Sequence, residues 1–253
     1  MKRLINKIFN KFNYEIVKVA GLSHRQIPSD FDGHHKKVLS IVGKNTMTSP
    51  ERIFSLIEAV RYVVKNNIEG DIVECGVWKG GSMMAVAETL KVLDNTNRHL
   101  YLYDTYEGMS APTELDKTYN GDNAEVLLNS NTDKEQNLVW AYGALEIVKQ
   151  NMQSTGYPAD MITYVKGKVE DTIPQTVPKK IAILRLDTDW YESTKHELVY
   201  LFPLLVNGGV LILDDYGHWE GAKKAVDEFL NSYPHPVLLN RIDETGRIAI
   251  KQA

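Results

Sequence analysis

The chain has 253 residues, 43% of them hydrophobic and 25% charged, with a formal net charge of −4 and an isoelectric point near 6.0. This length fits one large α/β domain or at most two small ones. The acidic balance argues against nucleic acid as the main partner. A single cysteine, Cys75, cannot form an internal disulfide, which favours a reducing, cytoplasmic compartment. Its neighbours, "DIVECGVW", indicate a buried strand, so we interpret Cys75 as a packing residue.

The first 20 residues alternate basic and apolar side chains. No window of the chain reaches the roughly 20 apolar residues of a membrane-spanning helix, and this segment lacks the apolar run of a secretory signal. Two interpretations stay open: a terminal helix packed on its own domain, or a peripheral contact of residues 1–20 with an anionic membrane or a partner chain. We assign residues 1–46 to an N-terminal helical, basic arm and residues 47–253 to the main domain.

The main domain begins with a predicted helix, "TSPERIFSLIEAVRYVVKNN" (48–67), in which Ser49 is the N-cap and Pro50 the first helical residue. Short apolar strands then alternate with helical segments. The predicted strands are 71–77, 99–105, 161–167, 181–187 and 209–215, and one of the helices lies near 138–154. This alternation predicts an α/β fold, a mostly parallel sheet with helices on both faces. The final stretch, "PVLLNRIDETGRIAI", predicts an antiparallel hairpin that turns at 243–246.

Residues 106–137 interrupt the alternation with a polar segment rich in turn formers. A long excursion at the C-terminal end of a strand is usually a functional loop, and we interpret it as a candidate substrate lid. The alternative is a disordered insertion.

In open α/β sheets, ligands bind where strands deliver their carboxyl ends. The first strand leads into "ECGVWKGGS", in which Glu74, Gly76 and Gly80 precede a helix whose N-terminus favours an anionic ligand. The second strand ends at Asp104, which suits the two ribose hydroxyls of an adenosine. An NAD-dependent dehydrogenase uses the same device, but the spacing G-x-x-x-G-G departs from the dinucleotide fingerprint G-x-G-x-x-G.

Four aspartates follow two further strands: Asp187 and Asp189 after one, Asp214 and Asp215 after the other. Carboxylates gathered in one crevice repel one another unless a cation neutralises them. Oxygen ligands without histidine or cysteine suit Mg²⁺, or else Ca²⁺ or Mn²⁺, rather than zinc. The alternative is that these residues are helix caps and solvated loop charges.

Taken together, these motifs resemble the macrocin/mycinamicin O-methyltransferase family, which also contains the novobiocin sugar methyltransferase. The stretches that carry the resemblance are "MTSPERIFSL" (47–56), "GDIVECGVWKGGS" (70–82), "LYDTYEGM" (102–109), "VKGKVEDTIP" (165–174), "LRLDTDWYEST" (184–194) and "GGVLILDDYGHWEGAKKAVDEF" (208–229). The resemblance implies a Rossmann-like class I methyltransferase fold with a seven-stranded sheet. It also implies S-adenosylmethionine and Mg²⁺ as cofactors, and a sugar hydroxyl, free or in a glycan or natural product, as acceptor.

Carried over to this chain, the resemblance makes Asp187, Asp214 and Asp215 the metal ligands, with Asp187 also catalytic. Asp189, two residues after the first ligand, becomes the general base. No histidine occurs between His99 and His196, so this role falls to Asp189 or to the metal itself. The cofactor contacts that it implies are Thr48, Glu74, Gly76, Gly80, Ser82, Asp104, Glu170 and Asp171, the last two near the adenine.

Relatives are oligomers, so the resemblance also implies a homo-oligomer. Two other functions stay open. One is methylation of a catechol or another vicinal-diol aromatic, and the other is a catalytically idle binding protein that keeps the fold.

Overall fold

The computed structural model describes residues 27–130 and 132–252. The chain divides into two units, residues 1–31 and residues 32–253. The described part of the first unit is a turn at 27–31, in which the Phe31 amide donates to the Pro28 carbonyl at 3.2 Å. The basic segment 1–20 lies outside the described residues. The predicted arm, 1–46, includes a helix of the second unit at Gly33–Val42, and the boundary at 46/47 stays a prediction.

The second unit contains one seven-stranded sheet with the strand order β3-β2-β1-β4-β5-β7-β6. Strands β1 to β5 are parallel, whereas β7 pairs antiparallel with both β5 and β6. The predicted parallel sheet with a terminal antiparallel hairpin is therefore confirmed. The strands are β1 Asp71–Cys75, β2 Leu100–Asp104, β3 Ile162–Lys166, β4 Ile181–Leu186, β5 Leu205–Leu213, β6 Asn240–Arg241 and β7 Arg247–Ile250.

Eight α-helices lie in the described part of the chain. They are α1 Gly33–Val42, α2 Pro50–Lys65, α3 Gly81–Val92, α4 Ala124–Asn129, α5 Leu145–Ser154, α6 Val169–Thr172, α7 Tyr191–Leu201 and α8 Glu220–Ser232. Helix α2 begins as predicted, because the Ser49 hydroxyl accepts from the Arg52 amide and Pro50 is the first helical residue. Within these residues, no helix is both long enough and apolar enough to cross a bilayer.

The hydrophobic core consists of two layers, one on each face of the sheet. Side chains of α1, α2, α3 and α5 pack on one face, and those of α6, α7 and α8 pack on the other. Successive residues of β1 alternate between the layers: Ile72 joins the first, while Val73 and Cys75 join the second. Cys75 is fully buried, so its predicted place in a buried strand is confirmed. Burial of each such Leu, Ile or Val stabilises the fold by about 1.5–3 kcal/mol.

The excursion at 106–137 is ordered where it is described, and it carries α4. Ala124 and Leu128 of this helix pack against Trp190 and Trp219, which precede α7 and α8. The alternative of a disordered insertion is therefore wrong for the described part of the excursion.

The helix predicted near 138–154 begins only at Leu145. Before it lies a single 3-10 turn, Leu138–Trp140, which ends at Ala141 with a φ of 43°. The chain then passes so close to strand β1's turn that a Cβ on Gly143 would lie 2.1 Å from the Trp78 carbonyl oxygen. The left-handed conformation of Ala141 is incompatible with a continuous right-handed helix, which explains the late start.

Candidate active site

The carboxyl ends of β1, β2, β4 and β5 surround a cavity of about 420 Å³. Nine of the predicted site residues line it: Thr48, Gly76, Ser82, Asp104, Glu170, Asp187, Asp189, Asp214 and Asp215. Three lie outside its wall. Glu74 is buried beneath it, Gly80 caps α3 with a φ of 85°, and Asp171 is exposed. The individual ligand contacts of all twelve stay predictions.

The glycine turn after β1 is built against the tip of β4. Gly76 has a φ of 83°, and a Cβ there would lie 1.9 Å from the Asp187 carbonyl oxygen. The Gly76 amide donates to the Tyr103 carbonyl at 2.9 Å, and the Asp187 amide donates to the Cys75 carbonyl at 2.8 Å. Only glycine fits both the left-handed conformation and this close approach, so Gly76 allows the tip of β1 to pack directly against the tip of β4.

Asp104, at the tip of β2, uses its carboxylate to shape this turn. One oxygen accepts from the amides of Val77 (2.7 Å) and Trp78 (3.0 Å), and the other accepts from the Tyr106 amide (2.6 Å). Burial raises the pKa of Asp104, although these amide hydrogen bonds oppose the rise. Oδ2 already accepts two of these hydrogen bonds, so the capacity for a further donor lies on the other oxygen, Oδ1. The carboxylate predicted to bind the ribose is therefore the same one that orders the backbone of the glycine turn.

The structure brings together the three aspartates predicted as metal ligands. Carboxylate oxygens of Asp187, Asp214 and Asp215 all lie within 4.8 Å of one another. In the described part of the chain, Asp215 Oδ2 is buried and has no hydrogen-bond partner. Thr48, predicted as a cofactor contact, lies against this cluster, with its hydroxyl 3.3 Å from both Asp214 oxygens.

Two arginines pair with the acidic cluster. The buried Arg185 guanidinium lies 2.7 Å from Glu74, 2.6 Å from Asp187 and 2.5 Å from Asp214. The sequence context of Arg185, a charge within an apolar strand, predicts a carboxylate partner, and this prediction is confirmed. Arg52 pairs with Asp214 from helix α2 and is not among the predicted site residues. A positive charge in the first turn of a helix interacts unfavourably with the helix dipole. The position of Arg52 in the sequence therefore indicates that its charge is balanced by a partner outside the helix.

Carboxyl groups outnumber cationic side chains around the cavity. Five carboxylates (Glu74, Asp187, Asp189, Asp214 and Asp215) lie with two guanidinium groups. Burial raises the pKa of Glu74 and of Asp189 to about 7 each, with Arg185 opposing the rise at Glu74 and a hydrogen bond with Asp215 opposing it at Asp189. Burial also raises the pKa values of Asp187 and Asp215 well above the ordinary range. Such a group of buried carboxylates favours the binding of a cation.

Asp189 and His218 complete the wall on the side of the excursion. Asp189 has a φ of 70°, a left-handed conformation that costs a non-glycine residue free energy, although aspartate adopts it more readily than most residues. His218 lines the cavity, and burial lowers the pKa of its imidazole, which favours the neutral ring. The Met109 and Ser110 segment of the excursion faces the same space.

The geometry can be compared with known proteins. Residues 19–250 match the Macrocin-O-methyltransferase (TylF) family. The chain belongs to this family. It is an S-adenosylmethionine-dependent O-methyltransferase, so the predicted family, enzyme class and methyl donor are confirmed.

Two relatives and one solved structure place the chain within the macrocin O-methyltransferase family. It is 33% identical to the 8-demethyl-8-(2,3-dimethoxy-alpha-L-rhamnosyl)-tetracenomycin-C 4'-O-methyltransferase of Streptomyces olivaceus, over 80% of this chain and 74% of the relative. It is 30% identical to the demethyldecarbamoylnovobiocin O-methyltransferase of Streptomyces niveus, over 88% of this chain and 84% of the relative. The structure of the O-methyltransferase NovP superposes with a TM-score of 0.72 at 28% identity and covers 83% of each chain, which confirms the Rossmann-like fold.

Proposed function

We propose that this enzyme transfers the methyl group of S-adenosylmethionine to a hydroxyl of a sugar, with a divalent cation, Mg²⁺, bound at the acidic cluster. The sugar assignment is supported by the relatives, since the Streptomyces olivaceus enzyme is named for methylation at a rhamnosyl-bearing compound. The observation that carries the metal assignment is the convergence of three carboxylates from the tips of two adjoining strands.

The donor set fits a hard divalent cation. Asp187, Asp214 and Asp215 offer only oxygen ligands, which Mg²⁺ prefers. The unpartnered Asp215 Oδ2 in the described structure is a buried lone pair that such an ion would satisfy. When bound, Mg²⁺ would supply positive charge that lowers the pKa of a nearby hydroxyl. Asp187, Asp214 and Asp215 would hold it.

Asp189 is the proposed general base. It lines the cavity two residues after Asp187, and its left-handed backbone turns the chain at that point. A carboxylate here can accept the proton of an acceptor hydroxyl as the methyl group is transferred. General-base catalysis of this kind typically contributes about 10²–10⁴-fold to the rate.

The rest of the cavity would bind and orient the donor and acceptor. Gly76 and Ser82 flank the start of α3, where backbone amides and a hydroxyl can bind a carboxylate. The excess of carboxylates attracts the positively charged sulfonium of the methyl donor. On the side of the cavity that faces the excursion, the neutral imidazole of His218 can form a hydrogen bond with the acceptor hydroxyl. The excursion excludes water from the space that holds the donor and the acceptor. The main task of these side chains is alignment of oxygen, methyl carbon and sulfur.

The experiment is a methyl-transfer screen against deoxysugar glycosides and catechols with labelled S-adenosylmethionine, followed by mass spectrometry of the products. Labelled sugar products that vanish with EDTA and return with Mg²⁺ support the proposal. Activity that survives the chelator would contradict the proposed role of the metal, and exclusive labelling of catechols would overturn the sugar assignment.

Variants then test the residue roles. Asp214→Asn should abolish turnover while S-adenosylhomocysteine binding, measured by calorimetry, stays intact. Asp189→Asn should lower kcat by about 10²–10⁴-fold. Asp160→Asn makes the same charge change at an exposed position beside β3, and it should behave as wild type.

A further inference from the structure

The excursion contacts both loops that follow the acidic strand tips. Trp190, which precedes α7, donates through its indole Nε1 to the Ser110 carbonyl at 3.0 Å. On the second loop, the His218 carbonyl accepts from the Tyr119 amide at 3.0 Å, and the Glu220 amide donates to the Lys117 carbonyl at 2.8 Å. The described part of the excursion is therefore bonded to the segments that carry the predicted metal ligands.

Asp116 is the centre of these contacts. It is fully buried, and its Oδ1 accepts from the backbone amide of Tyr191, the first residue of α7, at 2.8 Å. The residue at the N-cap position of α7 is Trp190, whose indole carries no hydrogen-bond acceptor. The carboxylate of Asp116 thus caps this helix from 75 residues away in the chain.

The same side chain also closes the excursion on itself. Its Oδ2 accepts from the Thr113 amide at 2.7 Å and from the Thr113 hydroxyl at 2.9 Å. The Asp116 carbonyl accepts from the amide of Ala124, the first residue of α4, at 3.0 Å. One buried carboxylate therefore joins the turn of the excursion to the start of α7.

A glycine on α8 makes room for this arrangement. A Cβ on Gly221, the second residue of α8, would lie 2.1 Å from Asp116 Oδ1 and 3.2 Å from the Tyr191 amide nitrogen. Asp116 consequently lies where the starts of α7 and α8 meet, and each helix follows one pair of site aspartates.

We infer that Asp116 is a positioning residue that sets the distance between the Asp187–Asp189 loop and the Asp214–Trp219 loop. It does so by fixing the first turns of α7 and α8 against the excursion. The contacts of Asp116 described above are with the excursion and with the starts of α7 and α8, not with the glycine turn or Asp104, so we expect its loss to act on the acidic cluster and to leave cofactor binding in place. The metal half of this inference rests on the proposed function.

The test compares Asp116→Ala with Glu114→Gln, an exposed position two residues away. Hydrogen–deuterium exchange should accelerate in Asp116→Ala both at 110–124 and in the peptide that begins α7, which contains the Tyr191 amide. Calorimetry with Mn²⁺ should show affinity reduced by at least about tenfold, as is typical when the support of a metal ligand is removed. The affinity for S-adenosylhomocysteine should not change, and Glu114→Gln should match wild type throughout.

Faster exchange confined to the excursion, with unchanged protection at Tyr191, would overturn the inference. If Asp116→Ala does not fold, two milder variants replace it. Gly221→Ala displaces the carboxylate without removing it, and Thr113→Val removes one donor to Oδ2. Both should reduce the affinity for Mn²⁺ and leave the affinity for S-adenosylhomocysteine unchanged. A wild-type chain that binds no Mn²⁺ would contradict the proposed metal, whereas the exchange at Tyr191 still decides the role of Asp116.

Discussion

Arg52 and Asp214 form an ion pair although 162 residues separate them in the chain. The same guanidinium donates through Nε to Asp243 Oδ2 at 2.8 Å. Asp214 is the first residue after β5, and Asp243 lies in the turn of the terminal hairpin. Arg52 therefore connects helix α2, the acidic cluster and the hairpin.

Replacement of Arg52 by methionine should destabilise the enzyme by about 2–4 kcal/mol, because loss of one partner leaves buried carboxylates uncompensated. Urea unfolding at pH 7.5 measures the change. Arg61→Met is the matched control on the same helix, since Arg61 is 30% exposed and pairs with exposed carboxylates, and it should cost less than about 1 kcal/mol. Equal losses from the two variants would contradict a special role for Arg52.

Asp215→Asn should stabilise the metal-free enzyme. Burial and the neighbouring Asp189 and Asp214 raise the pKa of Asp215. The folded state therefore prefers the neutral form, and the carboxylate costs stability once the pH rises above the ordinary value of 3.8. At pH 7.5 with EDTA, we expect Tm to rise by about 2–4 °C, which corresponds to roughly 1 kcal/mol for a chain of this size. With Mg²⁺ the order should reverse, because wild type gains Tm from the ion and the variant does not.

Asp243 should make stability depend on acidity. Burial alone would raise its pKa, but hydrogen bonds from Ser49 and the Gly246 amide, together with the charge of Arg52, lower it to about 2 from the ordinary 3.8. A lowered pKa contributes stability that is complete above 3.8 and is lost as the pH falls through about 2. Asp243→Asn should cost about 1–2 kcal/mol at pH 7, after allowance for solvent screening. In urea titrations, the difference from wild type should shrink between those two pH values, while exposed Asp160→Asn shows none.

Gly76→Ala should be among the most destabilising single changes at the site. The added Cβ meets the Asp187 carbonyl at 1.9 Å, in addition to the cost of a positive φ. Gly156→Ala is a suitable control, because Gly156 has a φ of 68° with no atom within 4 Å of the added Cβ. The control should lose about 1–2 kcal/mol, and Gly76→Ala should lose at least twice as much or fail to accumulate as folded protein. Similar losses would mean that the β1 and β4 tips can separate freely.

The strands, helix α2 and the acidic cluster could be predicted because their signals are local. Apolar runs end in carboxylates, and parallel strands deliver those carboxylates to one edge, so Asp187, Asp214 and Asp215 had to meet if the fold was right. Arg52 and Asp116 act on groups far away in the chain, and no local pattern encodes the partner. The use of Asp104 by three backbone amides, and the late start of α5 where Gly143 passes Trp78, likewise follow from tertiary approach rather than from the spacing of residues.

Cys75 carries the chain's sole thiol and lies in β1, directly before Gly76, with none of its surface exposed. Burial raises its pKa well above the ordinary value, and the thiolate is the form that reacts with alkylating reagents. A maleimide should therefore label this protein only when β1 opens, so the labelling rate reports the opening of the strand that carries the glycine turn. Cys75 is thus a natural reporter of the opening of β1, and no cysteine has to be engineered to measure this opening.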